Sequence, residues 1–322
     1  ASAIFGAMSG SSAAAAAALG RVTIPELDRL GFPRSFSAGV MAAGGTLSIM
    51  IPPSIVFVIY GAMAQVSVAD LFLAGIVPGL FLAVIIGAVT LGLCARNGWS
   101  VAERWSMAEI ANTGIKAVPA LAMPGIVLGG IYGGIFTPTE AAAISALYGL
   151  FVGLFVYRSL TLGDFPELFM DSARVTATIL IILAGALFIG MLATLAGIPQ
   201  AIVKAVETLA LSKWQFLLVI NVVLLVLGCF LDGVTILTVV TPLLLPSLRA
   251  LDIDLIHFAI VLTLNIEIAS ITPPIGMNLF VISGVSRTPI EAVVRGVVPF
   301  IIGLTMALLV IMYLPRLFLL ES

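Results

Sequence analysis

Apolar residues run along this chain in long blocks, with most polar residues between them. Leu71–Leu93, Thr176–Ala196 and Gly296–Pro315 are each about 20 residues long and uncharged. As helices they reach across the ~30 Å of bilayer hydrocarbon. Two further blocks, "TLSIMIPPSI" (Thr46–Ile55) and "IASITPPIGM" (Ile268–Met277), are as apolar but have Pro-Pro at their centres. Proline lacks an N–H and clashes with the preceding turn, costing roughly 3 kcal/mol inside a helix. Each block therefore predicts a helix broken within the membrane. Ala102–Thr113, Phe165–Arg174 and Gln200–Leu209 predict amphipathic helices on the surface.

The two Pro-Pro pairs are 221 positions apart. Without gaps, that offset also pairs Pro25 with Pro246, Leu27 with Leu248, Leu30 with Leu251, Ala38 with Ala259, Val40 with Val261 and Asp70 with Glu291. It pairs "GIVP" (Gly75–Pro78) with "GVVP" (Gly296–Pro299). Matches at Gly and Pro encode backbone geometry rather than apolarity, so they predict a duplicated structural unit. The second copy has membrane sequence upstream of its hairpin (Ile115 to Asn221) whose counterpart falls before Ala1, so the first copy is expected to be truncated. The resulting division is residues 1–95 (first repeat), 96–213 (scaffold-type spans and surface helices) and 214–322 (second hairpin, broken helix and final span).

Composition agrees with a polytopic, all-α membrane protein: 61% of residues are hydrophobic, 9% are charged and mean hydropathy is +1.25. A soluble domain carries about 25% charge. A net charge of -2 gives no nucleic-acid signal. Two cysteines (Cys94, Cys229) and one histidine (His257) leave neither a disulfide framework nor a transition-metal cluster. The basic residues set the topology. Ten of the 14 Lys and Arg (Arg21, Arg29, Arg34, Arg96, Arg104, Lys116, Arg158, Arg174, Arg287, Arg295) fall on one side, taken as cytoplasmic. Trp99, Trp105 and Trp214 stand at segment ends, as in an interfacial belt. This count holds only if Ala1–Val22 and Gln215–Leu248 are re-entrant hairpins, the first entering from the cytoplasm and the second from outside. Inverted repeats of this kind are a transporter architecture.

Hairpin one turns at "MSGSSAAAA" (Met8–Ala16) and hairpin two at "FLDGVTILT" (Phe230–Thr238), with Asp232 on Ser11 and Gly233 on Ser12 by the offset. The breaks free carbonyls near residues 48, 49, 269 and 270. Freed carbonyls are tolerated in lipid where they face a cation or a wet cavity. Gly44, Gly45, Thr46 and Ser48 flank one break; Ser270, Thr272, Gly276 and Asn278 flank the other. Each tip with its break makes an oxygen-rich pocket suited to a hard cation such as Na⁺.

"GSSAAAAAALG…TIPEL", "AAGGTLSIMIPPSIVFVIYG", "LFLAGIVPGL", "GGIYGGIFTPTEAAAISALYG" and "ITPPIGMNLFV" resemble the large membrane subunit of TRAP transporters, the DctM-like family. The resemblance implies a sodium-coupled secondary transporter in the bacterial inner membrane, importing organic acids such as C4-dicarboxylates or sialic acid. It implies a periplasmic binding protein and a small membrane subunit as partners, no cofactor beyond coupling Na⁺, and an elevator motion of both hairpins and broken helices. Carried onto this chain, sodium site one is Ser9, Gly10, Ser11, Gly45, Thr46 and Pro52. Site two is Asp232, Gly233, Thr235, Ser270, Thr272 and Pro273, and substrate contacts fall on Ser12, Ser54, Thr235 and Asn278.

Asp232 and Glu267 are the acids expected at membrane depth, where an ionisable group marks a functional candidate. Asp232 also suits a turn whose carboxylate accepts backbone N–H bonds. Thr137, Pro138 and Glu140 read as N-cap, N1 and N3 of a capping box, and Thr288, Pro289 and Glu291 as the same device on the last helix. Three alternatives remain: a stand-alone divalent-anion symporter, a channel, and an intramembrane serine protease pairing "SGSS" with His257.

Overall fold

A computed structural model describes residues 2–100 and 106–318. Arg104, Trp105 and the start of the expected 102–113 surface helix lie outside the described residues. All regular structure described is helical, and seven helices are long and apolar enough to cross a membrane. The chain divides into two compact units, residues 1–99 with 182–322, and residues 100–181.

The first unit begins with α1 (Ser2–Ser9), α2 (Ser12–Arg29), α3 (Arg34–Met50), α4 (Ile55–Ala64) and α5 (Val68–Asn97). Helix α2 forms because Ser11 caps it and Ala13–Ala18 are the best helix formers. Helix α5 opens on Ser67, whose hydroxyl accepts the Asp70 N–H at 3.2 Å, and closes on left-handed Gly98.

The second unit holds α6 (Met107–Tyr132), α7 (Pro138–Phe151) and a π-helical turn at Val152–Val156. The Tyr148 and Tyr157 hydroxyls donate to the Pro119 and Lys116 carbonyls at 2.7 and 2.8 Å, tying the end of this stretch to α6. The capping box of Thr137 and Glu140 forms. Helix α8 (Phe165–Leu195) is a single helix of 31 residues. The expected surface helix at Phe165–Arg174 is thus the start of a long helix, since no Gly, Pro or cap separates it from the apolar run that follows. Helix α9 (Ile198–Thr208) is separate.

The first unit resumes with α10 (Lys213–Gly228), α11 (Gly233–Ala250), α12 (Leu255–Ser270), α13 (Met277–Ser286) and α14 (Ile290–Tyr313). Shifting α2 by 221 positions gives the bounds of α11, and shifting the start of α3 gives the start of α12. Both hairpins end on a residue with positive φ at the same repeat position, Gly31 (85°) and Asp252 (50°). Pro52-Pro53 and Pro273-Pro274 are both cis. At α14 the expected capping box does not form. Pro289 is the N-cap, and the Thr288 hydroxyl instead accepts from Ser286 Oγ at 2.8 Å.

The repeats interleave. Helix α2 packs on α13 and α11 on α4, so the far half of each broken helix meets the other repeat's hairpin. Likewise α3 packs on α14 and α12 on α5. The α3–α14 crossing is a backbone contact: a β-carbon on Gly296 would fall on the Ser35 carbonyl, and one on Gly39 would fall on Gly296. Only glycine fits such an approach. Gly296→Val is expected to destabilise the protein by on the order of 1–3 kcal/mol through overpacking, read as a lowered thermal midpoint in detergent, whereas Gly87→Ala, with no atom within 4 Å of the added β-carbon, changes it little.

Candidate functional site

Each hairpin tip sits on the break of its own repeat. Gly10 (φ 62°) turns the chain between α1 and α2, and a β-carbon there would lie 3.1 Å from the Pro53 carbonyl oxygen. In the second repeat, the Ile275 N–H donates to the Cys229 carbonyl at 3.2 Å, joining the turn before α11 to the break after α12. The first arms dock alike: Gly6 lies against Ser48 and Gly228 against Ala269; Ser48 and Ala269 are offset partners, and the two glycines are one position out of register. The second arms also use one equivalent position with roles exchanged. Gly45 receives Ala16 in the first repeat, and Gly233 receives Ile266 in the second.

The breaks are partly repaired by hydroxyls. Pro52 and Pro53 offer no N–H to the Ser48 and Ile49 carbonyls. Ser54 Oγ donates to Ile49 O at 2.5 Å, while Pro52 leaves the Ser48 carbonyl without its helical N–H. In the second repeat Thr272 Oγ1 donates to Ile268 O at 2.6 Å, Ser270 Oγ to Glu267 O at 2.7 Å, and Thr272 N to Ala269 O at 3.1 Å. There Pro274 leaves the Ser270 carbonyl, the offset partner of Ile49, without its helical N–H.

At tip one, Ser9 Oγ donates to Ser11 O at 3.3 Å, and Ser11 Oγ accepts from Ala14 N at 3.5 Å. At tip two, Asp232 caps α11: Oδ2 accepts from Val234 N (3.0 Å) and Thr235 N (3.2 Å), and Oδ1 accepts from the Thr235 hydroxyl. The described contacts of this carboxylate are with its own turn. Thr46 lies at the contact between the repeats. It is fully buried, its hydroxyl donates to Ala43 O at 2.8 Å, and it lies 3.4 Å from Glu267 Oε2. Thr46 and Glu267 are themselves offset partners, so their contact marks the pseudo-symmetry axis between the repeats. The offset could have found this pair; the site reading missed it. Glu267 is fully buried, and its Oε1 has no hydrogen-bond partner among the described residues.

Of the residues proposed to contact substrate, Ser54 is engaged at break one and Thr235 at tip two. Ser12 and Asn278 are brought together, with Asn278 Nδ2 2.6 Å from Ser12 Oγ. Sequence reasoning also missed a buried pair, Asn265 Nδ2 donating to Asn221 Oδ1, which ties α12 to α10. His257 is buried at the start of α12, where Nε2 lies 3.2 Å from Ile311 O and its backbone N–H donates to Asp254 at 2.7 Å. With the Ser9 and Ser11 hydroxyls turned to their own tip, these groups do not assemble a serine-protease dyad.

Removing the Ser54 hydroxyl strands a buried carbonyl, which costs about 1–3 kcal/mol. Ser54→Ala is expected to lose stability on that scale in detergent melts, and Ser54→Thr to retain most of it.

The family described as "Tripartite ATP-independent periplasmic transporter, DctM component" matches residues 1–317. The "C4-dicarboxylate TRAP transporter large permease protein DctM" of Pseudomonas aeruginosa is 42% identical over 312 residues, covering 97% of this chain and 73% of that one. The "Isethionate TRAP transporter permease protein DctMQ" of Oleidesulfovibrio alaskensis is 40% identical, covering 97% of this chain and 49% of that longer one. The "Sialic acid TRAP transporter large permease protein SiaM" of Vibrio cholerae is 35% identical, covering 98% and 74%.

Proposed function

We propose that this chain, which belongs to the DctM component family of tripartite ATP-independent periplasmic transporters, imports organic acid anions driven by sodium. It is a multi-pass inner-membrane protein. The observation that carries the reading is the repeated apposition of an oxygen-bearing hairpin tip to a helix break whose carbonyls proline has freed. Two such places in one compact unit suit two alkali cations.

Site one is built from Ser9, Gly10 and Ser11 at the tip, with Gly45, Thr46 and Pro52 on the broken helix. Site two is built from Asp232, Gly233 and Thr235, with Ser270, Thr272 and Pro273. A capping carboxylate keeps lone pairs for a cation, so Asp232 serves both roles. The hairpins are re-entrant, the repeats are inverted, and both hairpins with their broken helices move as an elevator against a scaffold that includes a small membrane subunit. A periplasmic binding protein delivers the substrate. The relatives named above are for C4-dicarboxylate, isethionate and sialic acid, all anionic, which supports an organic anion as substrate here. Ser12, Ser54, Thr235 and Asn278 lie around the tips and breaks where that anion would be held.

The test is uptake of radiolabelled C4-dicarboxylates, isethionate and sialic acid by the full-length transporter in liposomes, with its binding protein, with and without an inward sodium gradient. One of these acids is expected to accumulate only with both. Thr46→Val and Asp232→Ala should each raise half-activating sodium about tenfold, equivalent to ~1.4 kcal/mol of lost cation affinity. Unchanged sodium activation in both variants removes the site assignment. Accumulation without a binding protein favours the stand-alone symporter.

A further inference from the structure

Asn278 is a buried polar side chain that joins the two repeats. It is the second residue of α13, fully buried, and reaches across the repeat boundary. Its Nδ2 lies 2.6 Å from Ser12 Oγ and 3.1 Å from the Ala42 carbonyl oxygen. A backbone carbonyl only accepts, so Ala42 fixes which end of the amide faces this way. One side chain of the second repeat thus holds the start of α2 and the middle of α3, two elements of the first.

Both ends of this link lead directly to a cation site. Ser12 follows the Ser9–Ser11 tip, whose Gly10 rests on the Pro53 carbonyl. Asn278 follows Gly276, whose N–H donates to Thr272 O at 3.1 Å within break two. The connection therefore runs from break two through Asn278 and Ser12 to tip one.

Its counterpart is missing. The offset places Phe57 opposite Asn278 and Gly233 opposite Ser12. Phe57 is fully buried and packs on Gly75, and Gly233 has no side chain. A polar link joins one seam between the repeats; its equivalent in the other seam is apolar. Asn278 also leaves its Oδ1 buried without a hydrogen-bond partner among the described residues. A leucine of similar size would remove the orphaned Oδ1 but also the bonds to Ser12 and Ala42, so the asparagine ties the seam at the cost of one buried acceptor.

We propose that Asn278 is a positioning residue that couples the two sodium sites, so that a cation at one raises affinity at the other through the Ser12 link. The inference rests on the sodium reading given above. It makes the coupling asymmetric in structure and reciprocal in free energy, as linkage requires.

The experiment is sodium activation of uptake by the full-length transporter in liposomes, comparing wild type, Ser12→Ala, Asn278→Leu and the double variant. Each single variant should raise half-activating sodium several-fold and bring the Hill coefficient down toward unity. Ser12→Thr, which keeps the hydroxyl, should retain the wild-type Hill coefficient, a rescue that general loss of structure does not produce. The double variant should be no worse than the more affected single, because both remove one interaction. If Asn278→Leu does not assemble, Ser12→Ala, a single-atom deletion, carries the same test. Retention of the wild-type Hill coefficient, or strictly additive effects, overturns the coupling and leaves the sodium reading intact. Sodium-independent uptake by the wild type overturns the sodium reading and the coupling with it.

Discussion

Inside a bilayer, a peptide carbonyl without a hydrogen bond costs several kcal/mol, and this chain creates such carbonyls twice by placing Pro-Pro in an apolar helix. The rest of the arrangement follows from where those oxygens go. Neighbours take some of them: the Ser54 hydroxyl serves Ile49 and the Thr272 N–H serves Ala269, while the Thr272 and Ser270 hydroxyls bond the Ile268 and Glu267 carbonyls just before the second break. A hairpin covers each break and shields the remainder from lipid. The Ser48 and Ser270 carbonyls have lost their helical N–H to proline, and oxygens freed in this way are what an alkali cation satisfies.

Covering two breaks with two hairpins requires close packing, and small residues make it available. Gly6 on Ser48 and Gly228 on Ala269 bring the first arms down, and Gly39 against Gly296 lets α3 and α14 touch through their backbones. Each repeat lends half of its broken helix to the other, so neither forms its pocket alone. The contact of Thr46 with Glu267 lies where the two copies meet. A rearrangement in one repeat is therefore felt in the other, a property that a transporter needs and a pair of independent helices lacks.

The duplication was legible because proline and glycine specify backbone rather than burial, and the 221 offset predicted the bounds of α11 from those of α2. Capping chemistry was legible at Thr137 and Glu140 for the same local reason. It failed at Thr288, where the neighbouring Ser286 hydroxyl competes for the threonine and Pro289 takes the cap position. The surface-helix reading failed at Phe165–Arg174 because amphipathic residues at the mouth of a long helix look like a separate element when only composition is weighed. Side-chain partners across the fold were least legible. Nothing local announces that Asn278 meets Ser12, 266 positions away, or that Ser54 serves a carbonyl five residues behind it.

The account stands on two copies of one unit inserted in opposite senses. Gly31 and Asp252 occupy the same position at the ends of the two hairpins, so their sidedness tests the claim directly. Single cysteines at these positions, in an otherwise cysteine-free full-length transporter, can be labelled in oriented vesicles with a membrane-impermeant maleimide. The account predicts labelling at 31 only from the cytoplasmic side and at 252 only from the periplasmic side. Labelling of both from one side contradicts it.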